Sequence, residues 1–137
     1  MRIFKSVCLS MAVCLAAASA NADVYQCDRI KMGRDGWISE VIFFSIDEAS
    51  NSAAIHDAYT EAFHGGAMKA QLAEATAKRF RVKWTVRNVK TSNTGAIIPR
   101  VRYSAVLDRK TLKLFINATL SGADNRPWGE AQCKVLK

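Results

Sequence analysis

Six cations are the side chains of this sequence with most chemistry to offer. Arg79, Arg81, Lys83 and Arg87 fill four of the five alternate positions from 79 to 87, and Arg100 and Arg102 follow at alternate positions of the next run. Alternate residues of a strand share one face, and cross-strand neighbours on a face lie about 5 Å apart. Cations so close repel unless water, carboxylates or an anionic partner screens them. Their chemistry is therefore anion binding, with an anionic lipid, lipopolysaccharide or an acidic protein as the partner. Lys113 is a further candidate on the same face. The competing expectation is an ordinary solvated face, its cations paired to Glu40, Asp57 or Glu74. Nucleic acid is disfavoured, because single-strand binders interleave aromatics with the cations, whereas here the aromatics alternate onto the opposite face.

Catalytic and metal-binding patterns are not found in the sequence. His56 and His64 have neither a histidine four residues on nor a cysteine beside them, so no metal site is expected. His56 and Asp57 would be a base and its orienter, but adjacent strand residues point to opposite faces. Ser121-Gly122 lacks the G-x-S-x-G context of a hydrolase elbow, and neither a P-loop nor a dinucleotide fingerprint is present. No catalytic residue and no cofactor is assigned, and a non-enzymatic protein is expected.

The chain opens with a targeting pattern. Arg2 and Lys5 precede an apolar run from Val7 to Ala18, and Ala20-Asn21-Ala22 supplies small residues for cleavage. The run is far shorter than the roughly 20 residues of a membrane-spanning helix. Residues 1–22 are thus expected to be a cleaved signal peptide, and 23–137 a single β domain in the periplasm or secreted, without a transmembrane segment. Losing Arg2 and Lys5 takes the formal charge from +8 to +6. Cys8 and Cys14 leave with the signal, so Cys27 and Cys133 remain. In an oxidising compartment such a pair reads as a disulfide.

Elements that position the cations follow from the same alternation. In Lys78–Lys90, Phe80, Val82, Trp84 and Val86 form an oily face opposite the basic one, which reads as a half-buried antiparallel strand. Asp23–Ile30 and Trp37–Ile46 read as earlier strands. Val101–Leu107 and Leu112–Leu120 read as a hairpin about the polar turn Asp108–Thr111, completing a meander with the basic strand. Ser121–Gly129 is a loop by composition, with Trp128 either a binding anchor or a lid over one end of the barrel. Glu130–Leu136 is the closing strand. Residues 47–77 have a double character: short strands joined by Gly65-Gly66, or a short helix within 52–64. The expected fold is all-β, a six- to eight-strand antiparallel meander forming a small barrel or sandwich.

At Tyr25-x-Cys27, Gly36-Trp37-Ile38, Ala77-Lys78-Arg79-Phe80, Trp84, Tyr103, Asn125 and Gly129 through Cys133, the chain resembles a family of small exported proteobacterial β-proteins with a terminal cysteine pair. These residues are mostly structural, so the resemblance implies a compact β domain and carries no catalytic residue across. At fold level it is also similar to the periplasmic C-type lysozyme inhibitors, small barrels with an early Tyr-x-Cys and a late Cys. That family's Ser-Gly-x-x-Tyr loop is half present: Ser121-Gly122 is followed by Ala123, Asp124 and Asn125. Three readings remain for function. The first is an envelope protein that binds an anionic partner through its basic face. The others are a barrel carrying a small apolar ligand and an inhibitor-type binding module.

Overall fold

The structure, a computed structural model, describes residues 22–136. Apart from Ala22, the expected signal segment lies outside the described residues. Eight strands run in chain order: β1 (Asp23–Met32), β2 (Val41–Asp47), β3 (Ser52–His56), β4 (Met68–Ala75), β5 (Arg79–Lys90), β6 (Ile97–Asp108), β7 (Lys113–Leu120) and β8 (Trp128–Val135). Each pairs antiparallel with the next, and β8 returns to β1 to close a barrel. Closure leaves no unpaired edge.

The alternation read from the sequence decides which side chains enter. Phe44 of β2, Phe80, Val82, Trp84 and Val86 of β5, Tyr103 of β6 and Ile116 of β7 are all buried in one core. An eight-stranded barrel is just wide enough for side chains to fill. Trp84, 4% exposed, is a core residue as expected. Its ring stacks on Tyr103 at 5.2 Å and meets Phe44 edge-on at 5.7 Å. Aromatic pairs in these arrangements add about 0.5–1.5 kcal/mol beyond their burial.

Cys27 and Cys133 lie opposite each other on β1 and β8 and form a disulfide across 106 residues of sequence. Both are buried. In the chain-entropy account, closing a loop of about 100 residues stabilises by roughly 4.7 kcal/mol. The bond thus fastens the barrel at the seam where its first and last strands meet.

Residues 47–77 resolve their double character into both elements, two short strands with a short helix inside the expected 52–64 span. A helix, α1 (Ala58–His64), stands between β3 and β4. Its start is fixed by a reciprocal cap: the Asp57 carboxylate accepts from the Thr60 N–H and the Asp57 N–H donates to Thr60 Oγ1, both at 2.8 Å. Such a box satisfies two otherwise orphaned groups. Gly65, at φ 88°, closes the helix in the left-handed conformation. These end signals outweigh the period-two pattern, and the Gly65-Gly66 pair terminates a helix instead of turning a hairpin.

Several boundaries also move: β1 runs on to Met32, and β6 begins at Ile97. Trp37 has a φ of 68°, which breaks an extended run, so β2 begins at Val41 and not at Trp37. Ile38 is nevertheless 3% exposed and packs into the core. The loop after β7 ends before Trp128, the first residue of β8.

Candidate anion-binding face

The expected face exists on the outer wall of β5 and β6. Cross-strand partners are Arg79 with Asp108, Arg81 with Val106, Lys83 with Ser104, Thr85 with Arg102, and Arg87 with Arg100. The six cations do not form one electrostatic set.

Arg79 and Arg81 share one carboxylate, Glu74 of β4. Arg79 Nε donates to Glu74 Oε1 at 2.9 Å, and Arg81 Nε lies 3.6 Å from Glu74 Oε2. The Arg79 hydrogen bond, helped by the nearby charges of Arg79 and Arg81, holds the Glu74 carboxyl below its ordinary range. A register shift between Leu72 and Glu74 brings this about. Leu72 points inward, so plain alternation would send Glu74 inward too. The extra residue of the bulge turns it out beside Arg81. Lys113, at the start of β7, lies opposite Gln132 of β8, away from the Arg87–Arg100 pair.

Lys83, Arg87, Arg100 and Arg102 are exposed and have no ion-pair partner among the described residues. Glu40, one expected partner, lies 3.9 Å from Arg29 instead. Asp57, another, is buried in the helix cap. Arg87 and Arg100 stand directly opposite each other, where like charges are unfavourable unless a counter-charge sits between them. Asn88, at φ 54°, turns Val89 back into the core.

Beside these cations the wall is dished. An open depression of about 480 Å³ is lined by Thr85, Ser104, Asn117 and Thr119, with the longer Lys83 and Arg102 among its walls. The four short side chains carry hydroxyl or amide groups that donate to or accept from a ligand's oxygens. Sequence patterning alone does not single them out. Their signal is present, since small polar residues stand at outward positions among long cations, but only the strand register makes them neighbours.

The remaining residues of interest serve elsewhere. His56 Nε2 lies 2.7 Å from Glu61 Oε2, with both side chains largely exposed, and among the described residues no hydroxyl or thiol hydrogen-bonds to this histidine. No three His, Cys, Asp or Glu side chains converge as a metal group among the described residues. Among them also, no helix is long and apolar enough to cross a membrane. Trp128 is no lid over the barrel's end. It stands on the outer wall, stacked on Phe115 at 6.3 Å, with Lys31 Nζ 5.5 Å from its ring. Its indole fills the space where a side chain at Gly33 would stand.

No family model, curated protein or solved structure matches this chain.

Proposed function

We propose that this protein is an exported, non-enzymatic binding protein that holds a polyanion against the outer wall of β5 and β6. The observation that carries the reading is the unpaired quartet Lys83, Arg87, Arg100 and Arg102 beside a polar depression. Exposed like charges with no carboxylate among them raise the local concentration of anions and speed their capture. The ligand chemistry is a run of phosphate or carboxylate groups, as on lipopolysaccharide, an anionic lipid surface or an acidic protein. Export fits the buried disulfide, since such bonds persist in oxidising compartments. A carrier of an apolar ligand would need room inside the barrel, whereas Phe44, Phe80, Trp84 and Tyr103 occupy the interior.

Retention on immobilised polyphosphate tests the reading. Wild-type retention should fade with salt as the Debye length falls from about 10 Å at 0.1 M to about 3 Å at 1 M. Arg87→Glu with Arg100→Glu should abolish it while leaving the fold intact, because both side chains point away from the core. Lys110→Glu with Lys134→Glu makes the same charge change elsewhere. Equal loss in both double variants would mean that net charge alone is read and that this face is no site.

A further inference from the structure

We infer that the mouth of the barrel next to this face binds a sugar ring, so that the polyanion is a polysaccharide carrying phosphate or carboxylate groups. The inference rests on the reading of the cationic face and adds a second, adjoining subsite to it.

An open cleft of about 580 Å³ lies between the β1–β2 loop, α1 and the β5–β6 hairpin. Trp37, Tyr59, Phe63 and Val89 line it together with the polar Lys90, Thr91, Ser92 and Asn93. Asp35 also lines it, and its carboxylate accepts from the Arg126 backbone N–H at 3.1 Å. The volume is that of a small-ligand site, and its lining is divided between an aromatic wall and a polar one. Tyr59 and Phe63 are four residues apart on α1 and so share a helix face. Trp37 stacks on Tyr59 with centroids 5.8 Å apart and planes 25° apart. Tyr59 in turn stands 6.4 Å from Tyr103, whose ring stacks on Trp84. Trp37 is thus the terminal ring of an aromatic column rooted in the core.

This platform is built rigidly. The buried Tyr103 hydroxyl donates to the Trp37 carbonyl at 2.9 Å, and burial pushes that hydroxyl well above the ordinary tyrosine range, so it remains a donor. Trp37 holds a φ of 68°, a region that bulky residues avoid and that recurs where function demands a set geometry. The capped helix fixes Tyr59 from the other side. A preorganised first shell backed by a hydrogen-bonded second one is what a binding site needs.

The lining selects the ligand. Aromatic faces are electron-rich and attract polarised C–H groups, which a pyranose presents on the flat of its ring. Its equatorial hydroxyls then project to the rim, where Thr91, Asn93 and the Lys90 ammonium are donors and acceptors. An acyl chain would need a tube into the interior, and Tyr103 and Trp84 fill that space. Lys90 lies three residues beyond Arg87 on β5, about 10 Å along the strand. A short oligosaccharide spans that distance, with one ring on Trp37 and its anionic groups reaching Arg87 and Arg100.

Three soluble polymers separate the subsites: phosphomannan has sugar and charge, polyphosphate has charge alone, and dextran has sugar alone. The disulfide-bonded exported chain should bind phosphomannan about tenfold more tightly than polyphosphate at equal phosphate concentration, equivalent to about 1.4 kcal/mol. Dextran should bind more weakly than phosphomannan. Trp37→Asn, chosen because asparagine tolerates a positive φ, should bring phosphomannan down to the polyphosphate level and leave polyphosphate binding unchanged. Phe63→Ser should act in the same direction, with unchanged polyphosphate binding again reporting an intact fold. Equal wild-type affinity for phosphomannan and polyphosphate overturns the sugar site while the cationic face stands. Dextran equal to phosphomannan overturns the charged-sugar assignment. If polyphosphate fails to bind while phosphomannan binds and depends on Trp37, the cationic-face reading falls and the cleft stands. Failure of every polymer overturns both.

Discussion

Along β5 the outward positions 79 and 81, and likewise 83 and 87, hold cations set two or four residues apart on one strand. The first pair lies against Glu74, at 2.9 Å from Arg79 and 3.6 Å from Arg81. Across from Arg87 stands Arg100, and the cross-strand neighbours of Lys83 and Arg102 are the amide of Gln71 and the hydroxyls of Ser104, Thr85 and Thr119. One strand thus has a half that shares a carboxylate and an open half that has none. The difference comes from β4, where a single extra residue at the Leu72/Glu74 bulge turns one carboxylate outward. Charge read along a strand is therefore only half of an electrostatic statement. The other half belongs to whichever strand lies alongside, and to its register.

The strongest way to break the comparison is to remove what both halves stand on. Trp84→Ala should destabilise by about 3–5 kcal/mol, since a large buried ring leaves a cavity. Urea denaturation measures it. A loss under about 1 kcal/mol, the size of a surface effect, would place Trp84 outside the core and undo the inward and outward assignment of β5. Next comes the seam on the far side of the barrel. Cys27→Ser should lower stability by about 2–5 kcal/mol, yet the folded variant should hold polyphosphate as the wild type does, because Cys27 lies on β1. Reduced retention by the folded variant would show that barrel closure, and not the open half of β5, sets the charge arrangement.

Neutralising each half in turn sharpens the contrast directly. Arg87→Gln with Arg100→Gln should reduce the slope of log affinity against log salt on polyphosphate by about two, one for each phosphate that no longer meets a cation. Arg79→Gln with Arg81→Gln should change it by less than about one, since both already have a carboxylate partner. Equal slopes for the two double variants would erase the distinction between the halves.

The smallest effect is expected from the carboxylate itself. Glu74 has its folded pKa held below the ordinary 4.5, first by the hydrogen bond from Arg79. Its stabilising contribution is accordingly present above that value and fades as pH falls through the lower folded one. Over the same fall, protonation releases Arg79 and Arg81, so polyphosphate retention should rise below the usual carboxylate range. Glu74→Gln should raise retention at neutral pH and remove its share of the acid-side rise. A variant whose pH profile matches the wild type would show that Glu74 does not gate this half.

The sequence by itself determined which residues enter the barrel and which stay outside. Phe80, Val82, Trp84 and Val86 had to share a side opposite Arg79, Arg81 and Lys83, because alternation is a property of the extended chain and needs no partner. Cys27 and Cys133, the pair expected outside the signal segment, likewise announced a bond between the first and last strands. Residues 52–64 were ambiguous because alanine-rich spacing suits both periods, and the Asp57–Thr60 cap divided them into a strand, Ser52–His56, and a helix, Ala58–His64. Only the tertiary structure decided that β8 returns to β1, that a bulge turns Glu74 toward Arg79 and Arg81, and that Thr85, Ser104, Asn117 and Thr119 share a depression. The same holds for the mouth, where the Tyr103 hydroxyl reaches a carbonyl 66 residues away and roots Trp37 in the core. Such meetings depend on register and closure. Those are set by how all eight strands pack at once, and no local pattern encodes them.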